Sequence, residues 1–455
     1  MTQTIIGLLS IAHPRADLPG VAKSTLVAGG ISLLERNVRL LRHAGAAQVF
    51  VLGDMLSPAL NDTIDRLQAT GSINLLRSAL DLAGLLESSD HVVMIEEGML
   101  LDERLVQQFV ATRENAVAVW PVATVQGTKA VRMDSSFAFG SILSCQGEIV
   151  RSVAKGLGDW DLEQTLLRAV AGHDATRLVD LSGFATYAPN RRRDVPLLWQ
   201  PMTARPDEET AMDLLLDSAQ KGCLDWPARF IHPPVENVAV RLLAATPITP
   251  NQITLLTAIV GFAATFAFAK GLLWLGLLLA LITGPLDGVD GKLARTRVEY
   301  SKYGDLEHVL DKIVEYSWYL ALAFAFRHTH GVTGPWAIAA IIIIMAFAEA
   351  IQGEFFRRFT GMQLDDFGDA ERKIRLFAGR RNTFFWTLIL FAFLDRWYLG
   401  FAMIALYAAG TFFVAQWRFF KRMREFGTAN SAAVAANFKA SEYGFLSPNK
   451  ASSND

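Results

Sequence analysis

Six apolar segments, near residues 252–269, 271–291, 305–325, 334–355, 382–395 and 397–417, fill the second half of this 455-residue chain. Several approach the roughly 20 residues that cross a bilayer as a helix, while the fifth is short and calls for tilt or local thinning. A composition that is 51% hydrophobic, with positive mean hydropathy, agrees with a membrane component. Thr249, Pro250 and Gln252 predict a capping box at the start of the first segment, with proline at the first helical position. Gly284 and Pro285 predict a bend in the second.

Charge asymmetry orients the segments. Lys292, Arg295, Arg297 and Lys302 lie on one side, together with Arg357, Arg358, Arg372, Lys373, Arg375, Arg380 and Arg381, and with Arg418, Lys421, Arg422 and Arg424. The opposite turns hold Lys270, Arg327 and Arg396. The basic side is therefore expected to be cytoplasmic, in the inner membrane, with the N-terminal half and the polar tail from Gly427 also in the cytosol.

Before residue 220 the pattern changes. Short β-rich runs (Ile5 to Leu9, Gln48 to Leu52, His91 to Ile95, Ala116 to Pro121) alternate with amphipathic helical ones such as Ser32 to Ala44. Such alternation predicts a soluble α/β domain with a largely parallel sheet. The apolar start has no basic residue before it and reads as a strand, not a secretory signal. A net charge of −2 argues against a nucleic-acid partner, and Cys145 and Cys223 offer neither a disulfide framework nor a thiolate metal site. From Lys221 to Leu243, Trp226, Phe230, Val235, Val238 and Leu242 form an apolar stripe with Arg229 and Arg241, which predicts a helix lying in the membrane interface. The expected domains are thus 1–202, a linker with an interfacial helix at 203–248, a six-helix membrane domain at 249–426, and a tail at 427–455.

Acidic residues mark the chemistry. Asp287 and Asp290 sit three apart at the end of the second apolar segment; Glu307 and Asp311 sit four apart at the start of the third. On helices each pair shares a face, and an antiparallel arrangement would converge four carboxylates. Such a cluster repels itself without cations, and oxygen-only ligands favour Mg²⁺ or Mn²⁺, with two ions able to clamp a diphosphate. The plain alternative is four ordinary acids at the water-facing ends of two helices.

The run Asp287-x2-Asp290-Gly291-x2-Ala294-Arg295-x8-Gly304 resembles the CDP-alcohol phosphotransferases, whose pattern continues G-x3-D-x3-D. Counting on from Gly304 gives His308 and Lys312; shortening the pattern by one residue gives Glu307 and Asp311, and that register is adopted. The resemblance implies metal ligation by Asp287, Asp290, Glu307 and Asp311, with Asp311 as general base, and binding of the CDP-alcohol by Gly291, Ala294, Arg295 and Gly304. It also implies a CDP-alcohol donor, an alcohol acceptor and membrane lipids as partners, and a homodimer is expected. Arg372, Lys373, Arg375, Arg380 and Arg381 are candidates for binding an acceptor phosphate, the plain alternative being the positive-inside signal alone. Both an inositol-type alcohol and phospholipid synthesis from CDP-diacylglycerol remain open.

The first half resembles nucleotidyltransferases on Lys23, Gly29-Gly30, Leu33 to Asn37 and the strand ending at Gly53. Its first loop, Ser10-Ile-Ala-His13-Pro14-Arg15, lacks the family's glycines, and glutamates stand where a metal aspartate belongs. Lys23 and Glu97 are the candidate nucleotide-site residues. The expectation is a degenerate domain, the alternative a bifunctional enzyme that also makes the CDP-alcohol from CTP. Lys221, Arg229 and Thr249 to Thr254 further resemble bifunctional proteins that fuse an inositol-phosphate cytidylyltransferase to a CDP-alcohol phosphotransferase. An ion-coupled transporter is the alternative from another class, against which stand the lack of an inverted repeat and the placement of the acids at one end of their spans. A membrane scaffold with two dead domains would show no metal dependence.

Overall fold

The computed structural model describes residues 3–53, 55–125, 130–301, 304–366, 369–429 and 432, with the side chains of residues 59, 304–307, 366 and 369 outside that description. Seven strands build the main sheet: β1 (Ile5–Ile11), β2 (Gln48–Gly53), β3 (Asn74–Leu76), β4 (His91–Ile95), β5 (Ala116–Pro121), β6 (Phe137–Gln146) and β7 (Arg177–Asp180). Their order is β7-β5-β6-β4-β1-β2-β3, parallel except for β6, which runs antiparallel to both neighbours. Leu8 pairs with Phe50 on one side and Met94 on the other. Alternate strand residues face opposite ways, so Leu9, Val51 and Val93 enter one core while Leu8, Phe50 and Met94 enter another, and both faces are buried. Helix α1 (Leu33–Ala44) starts where the Ser32 side chain accepts from the Glu35 N–H, and Gly45 ends it in the left-handed region at φ 110°.

The interfacial segment is not one helix. It breaks at Ile231 into Trp226–Phe230 and α2 (His232–Ala244), because Pro233 and Pro234 fit only a helix's first turn. In α2 the stripe Val235, Val238 and Leu242 is exposed, whereas His232, Glu236, Val240 and Ala244 are buried. The inward face is thus partly polar, and the apolar one is exposed.

Among the described residues six helices of 13 or more residues follow, α3 (Pro250–Ala269), α4 (Leu273–Arg297), α5 (Gly304–Phe326), α6 (Thr333–Thr360), α7 (Arg381–Phe393) and α8 (Trp397–Ala429), with a short helix, Asp369–Leu376, between α6 and α7. Thr249 and Gln252 form the expected reciprocal cap of α3. Helix α4 continues through Pro285. Among the described residues four helices, α3, α4, α6 and α8, are long and apolar enough to cross a bilayer. The expectation of six spans is therefore met by four. Helix α7 has 13 residues and is about 20 Å long, short of a ~30 Å hydrocarbon core. Helix α5 carries Asp311, Lys312 and Glu315 in its first half. Both nevertheless pack inside the bundle, where Phe268, Trp318, Tyr319, Phe384, Phe385 and Phe401 are fully buried. The Trp318 indole packs edge-on to Phe385 at 4.9 Å and donates to the Gly261 carbonyl at 2.7 Å. Helix α8 runs to Ala429, so the expected polar tail begins inside a helix, and most of it lies outside the described residues.

The sheet domain is seated on the end of α4. Gly30, at φ 84°, abuts the backbone of Ala244 so closely that a Cβ would lie 1.8 Å from its carbonyl oxygen. Arg36 donates to the Thr296 carbonyl, and Arg39 donates to that of Arg297 at 3.1 Å. Both cations thereby meet the helix's negative end. Arg297 itself donates to the carbonyls of Ala244, Thr246 and Ile248 at 3.0, 2.6 and 2.7 Å, tying α4 to the end of α2.

Candidate active site

Asp287 and Asp290 lie one turn apart on α4. Asp290 is 3% exposed. It accepts from the Thr254 hydroxyl of α3 at 2.6 Å and from the Gly291 N–H at 2.5 Å. Asp287 accepts from Arg381, at the first position of α7, at 2.9 Å. The other terminal nitrogen of Arg381 lies 3.9 Å from Asp311 on α5. One guanidinium thus bridges carboxylates from two helices, where a cation is needed to hold them together. The Glu307 side chain lies outside the described residues, and among those described no group of three His, Cys, Asp or Glu is close enough to enclose a metal ion.

On α5, Asp311 faces Arg381, Lys312 pairs with Glu315 at 2.8 Å, and His308 is exposed. Glu315, four residues beyond Asp311 and buried, accepts from the Tyr319 hydroxyl at 3.2 Å. It is a further acid on the same face that motif counting passes over, because the pattern ends at Asp311.

Residues 247–413 match the CDP-alcohol phosphatidyltransferase family. The chain is also similar to the bifunctional IPC transferase and DIPP synthase of Aquifex aeolicus, 28% identical over 199 residues that cover 43% of this chain and 44% of that protein. The protein of the same description from Archaeoglobus fulgidus is 27% identical over 203 residues, covering 44% and 39% respectively. The matched part spans less than half the length of either relative. A solved Bacillus anthracis chain described as a glucose-1-phosphate thymidylyltransferase, in complex with a sucrose, covers 46% of this chain and 94% of its own at 13% identity and a TM-score of 0.33.

Within residues 247–413 the neighbours of the motif have structural partners. The space beside Gly288 is filled: a Cβ there would lie 2.2 Å from Glu236 Oε1. The same Glu236 pairs with Lys292 at 2.8 Å, both being buried, and Lys292 also donates to Gln220 and Asn237. Arg295 curls back over Gly291 and donates from Nε to the Ala219 carbonyl at 2.8 Å. Ala294 is half-buried beside them, and Gly304 opens α5. Glycine at 288 thus admits a neighbouring carboxylate.

The basic cluster divides. Arg381 serves the acids. Arg375 pairs with Asp365 at 3.3 Å and Arg380 with Glu349 at 3.0 Å, and both line a cavity of about 310 Å³ with Arg192, Arg357 and Arg418. Arg375 Nη1, Arg380 Nε and Arg418 Nε are buried with no hydrogen-bond partner among the described residues. Arg372 and Lys373 line a separate cavity of about 270 Å³, with Arg372 over the Tyr187 ring at 5.5 Å.

In the sheet domain the Lys23 side chain lies against Gly98, next to Glu97, whose own partners are other residues of the loops that follow the neighbouring strands β1 and β4. The Glu97 carboxylate is buried and fully engaged there. It accepts from the Ala12 and His13 N–H groups at 2.8 and 2.7 Å, from the Ser24 N–H at 3.1 Å, and from the Ser24 hydroxyl at 2.7 Å. Burial raises its pKa, but the bonds from His13 and Ser24 outweigh that and hold it below the ordinary value. His13 bridges Asp161 and Glu97, each at 3.2 Å, which raises its pKa to about 10. Burial pushes Glu163, 3.8 Å from His13, well up. Backbone donors positioned to hold an anion are thus filled by the chain's own glutamate.

Proposed function

We propose that this chain is an integral-membrane CDP-alcohol phosphotransferase that transfers a substituted phosphate from a CDP-alcohol to an acceptor hydroxyl and releases CMP, in inositol-phosphate-type or phospholipid metabolism. The observation that carries this reading is the convergence of Asp287 and Asp311 on one cation, with Asp290 a turn from Asp287. An all-oxygen donor set suits a hard divalent cation, and the Arg381 guanidinium marks where positive charge belongs. Mg²⁺ or Mn²⁺, as two ions held by Asp287, Asp290, Glu307 and Asp311, would neutralise the diphosphate and the charge developing on departing CMP.

The chain's own residues do the rest. Thr254 fixes the Asp290 carboxylate through its hydroxyl. Asp311 takes the proton of the acceptor hydroxyl. Buried guanidinium nitrogens of Arg375, Arg380 and Arg418 that lack partners are suited to an acceptor phosphate. Their cavity shares Glu349, Ala415 and Arg418 with an apolar groove of about 960 Å³ along α7 and α8. A charged head beside an apolar channel favours an acceptor that carries an acyl chain over a fully polar one. In this reading α3 to α8 all lie in the inner membrane, the sheet domain faces the cytosol, and the protein is a homodimer.

The sheet domain is read as a degenerate nucleotidyltransferase whose anion cradle is occupied by Glu97. Purified full-length chain incubated with labelled CDP-alcohols and Mg²⁺ or Mn²⁺ identifies the donor by which one yields CMP. Turnover of a preformed CDP-alcohol should survive Lys23→Ala. Pyrophosphate release dependent on both CTP and an alcohol phosphate would instead support the bifunctional alternative.

A further inference from the structure

Arg381 stands in the first turn of α7, where the helix dipole disfavours a cation. Asp287 and Asp311 attract its guanidinium, but they do not fix the rotation of α7 that presents it. The next residue does. Asn382 donates from Nδ2 to both oxygens of Asp225, at 3.3 and 3.4 Å. Asp225 is buried and is itself held, because it caps the Trp226–Phe230 helix by accepting from the Ala228 N–H at 3.1 Å. Trp226 packs edge-on against Trp386, one turn along α7 from Asn382, with ring centroids 5.8 Å apart.

The amide oxygen of Asn382 lies against α4. A Cβ on Gly284 would be 3.0 Å from Asn382 Oδ1 and 2.7 Å from Cε1 of His232, the first residue of α2. Both side chains thus sit in the gap that the glycine leaves, and His232 is buried there. Gly284 lies one turn before Asp287 on α4. Two consecutive residues of α7, Asn382 and Arg381, therefore meet two consecutive turns of α4, at Gly284 and at Asp287. The pair of contacts sets a register, where an ion pair alone would leave a long arginine side chain many rotamers.

We propose that Asn382, anchored on Asp225 and seated beside His232 against Gly284, is a positioning residue that aims Arg381 between Asp287 and Asp311. Through it the Trp226–Phe230 helix, which precedes the membrane helices, governs how strongly a guanidinium competes for the carboxylates. Asp225 also acts electrostatically on Arg375 and Arg380, so Asn382 and Gly284 are the cleaner positions to change. The inference rests on the proposed function only in taking the competing cation to be a divalent metal.

Mn²⁺ binding to the full-length chain in detergent, followed by electron paramagnetic resonance, reads the competition without turnover. Arg381→Gln is expected to tighten Mn²⁺ several-fold, and Asn382→Leu and Gly284→Ala to shift it in the same direction. Arg381→Gln combined with Asn382→Leu should bind no tighter than Arg381→Gln alone. An Asn382 that served packing only would lower stability and leave Mn²⁺ affinity unchanged; that result, or additive tightening in the double variant, would overturn the proposal. Chemical denaturation in EDTA tests the positioning with no metal present. There the losses from Arg381→Gln and Asn382→Leu should fall short of additive, and additive losses would also overturn it. A wild type that binds no Mn²⁺ while those losses stay coupled would sink the metal reading of the proposed function and leave Asn382 as the residue that positions Arg381.

Discussion

The Arg381 guanidinium lies 2.9 Å from the Asp287 carboxylate across 94 positions of sequence. It binds the start of α7 to the motif helix, and it sits between Asp287 and Asp311 where a divalent cation is proposed to act. Guanidinium and metal therefore compete for the same oxygens. Arg381→Gln is expected to lower the metal concentration needed for half-maximal rate while reducing the maximal rate several-fold. A metal titration of CMP release checks this, and an unchanged metal requirement would show that the two cations do not share the carboxylates.

The phase of α5 gives a second expectation. Asp311→Asn should cost orders of magnitude in turnover even at saturating metal, Glu307→Gln should act chiefly through metal affinity, and His308→Ala and Lys312→Ala should cost little. A large loss from His308→Ala beside a mild effect of Glu307→Gln would restore the unshifted register.

Stability rests partly on the buried pair Glu236 and Lys292, 2.8 Å apart. Removing one partner strands a charge, at a cost of about 3–5 kcal/mol. Lys292→Met alone should destabilise the chain strongly, and Glu236→Gln with Lys292→Met should recover much of the loss. Chemical denaturation in detergent measures both, and additive losses would deny the coupling.

His13 supplies a pH signature outside the membrane. Its folded pKa is raised to about 10 from 6.5, first by Asp161 and then by Glu97. The stabilisation is therefore complete below pH 6.5 and is lost as pH rises through about 10. Thermal unfolding of wild type and His13→Gln across that window should converge at the alkaline end. A constant gap between the two would contradict the raised pKa.

What the sequence disclosed was local. Ser32 and the Thr249–Gln252 box announce their helices because a cap needs residues within four positions. The strands around Leu8 and Met94 announce themselves by composition. The α/β sheet ahead of a helical membrane region, and the match to the CDP-alcohol phosphatidyltransferase family, follow from such local patterns. The partners of Glu97, 73 to 85 residues away, do not. Gly29-Gly30 looks like nucleotide chemistry in sequence, yet it is where the sheet domain touches Thr296 and Ala244. Gly288 has no sequence neighbour that shows its purpose, because Glu236 fills the space beside it from another helix. Thr254 gave no sign that its hydroxyl holds Asp290, because that contact spans 36 positions.

In the proposed function the carboxylates of α4 and α5 drive release of CMP. Full-length wild type and Asp290→Asn, reconstituted in the same lipid with labelled CDP-alcohol, acceptor and Mg²⁺, allow CMP to be counted directly. Metal-dependent CMP release is expected from wild type and a loss of several orders of magnitude in the variant, with folding unchanged by circular dichroism. CMP release that persists in Asp290→Asn, or that proceeds equally in EDTA, would contradict it.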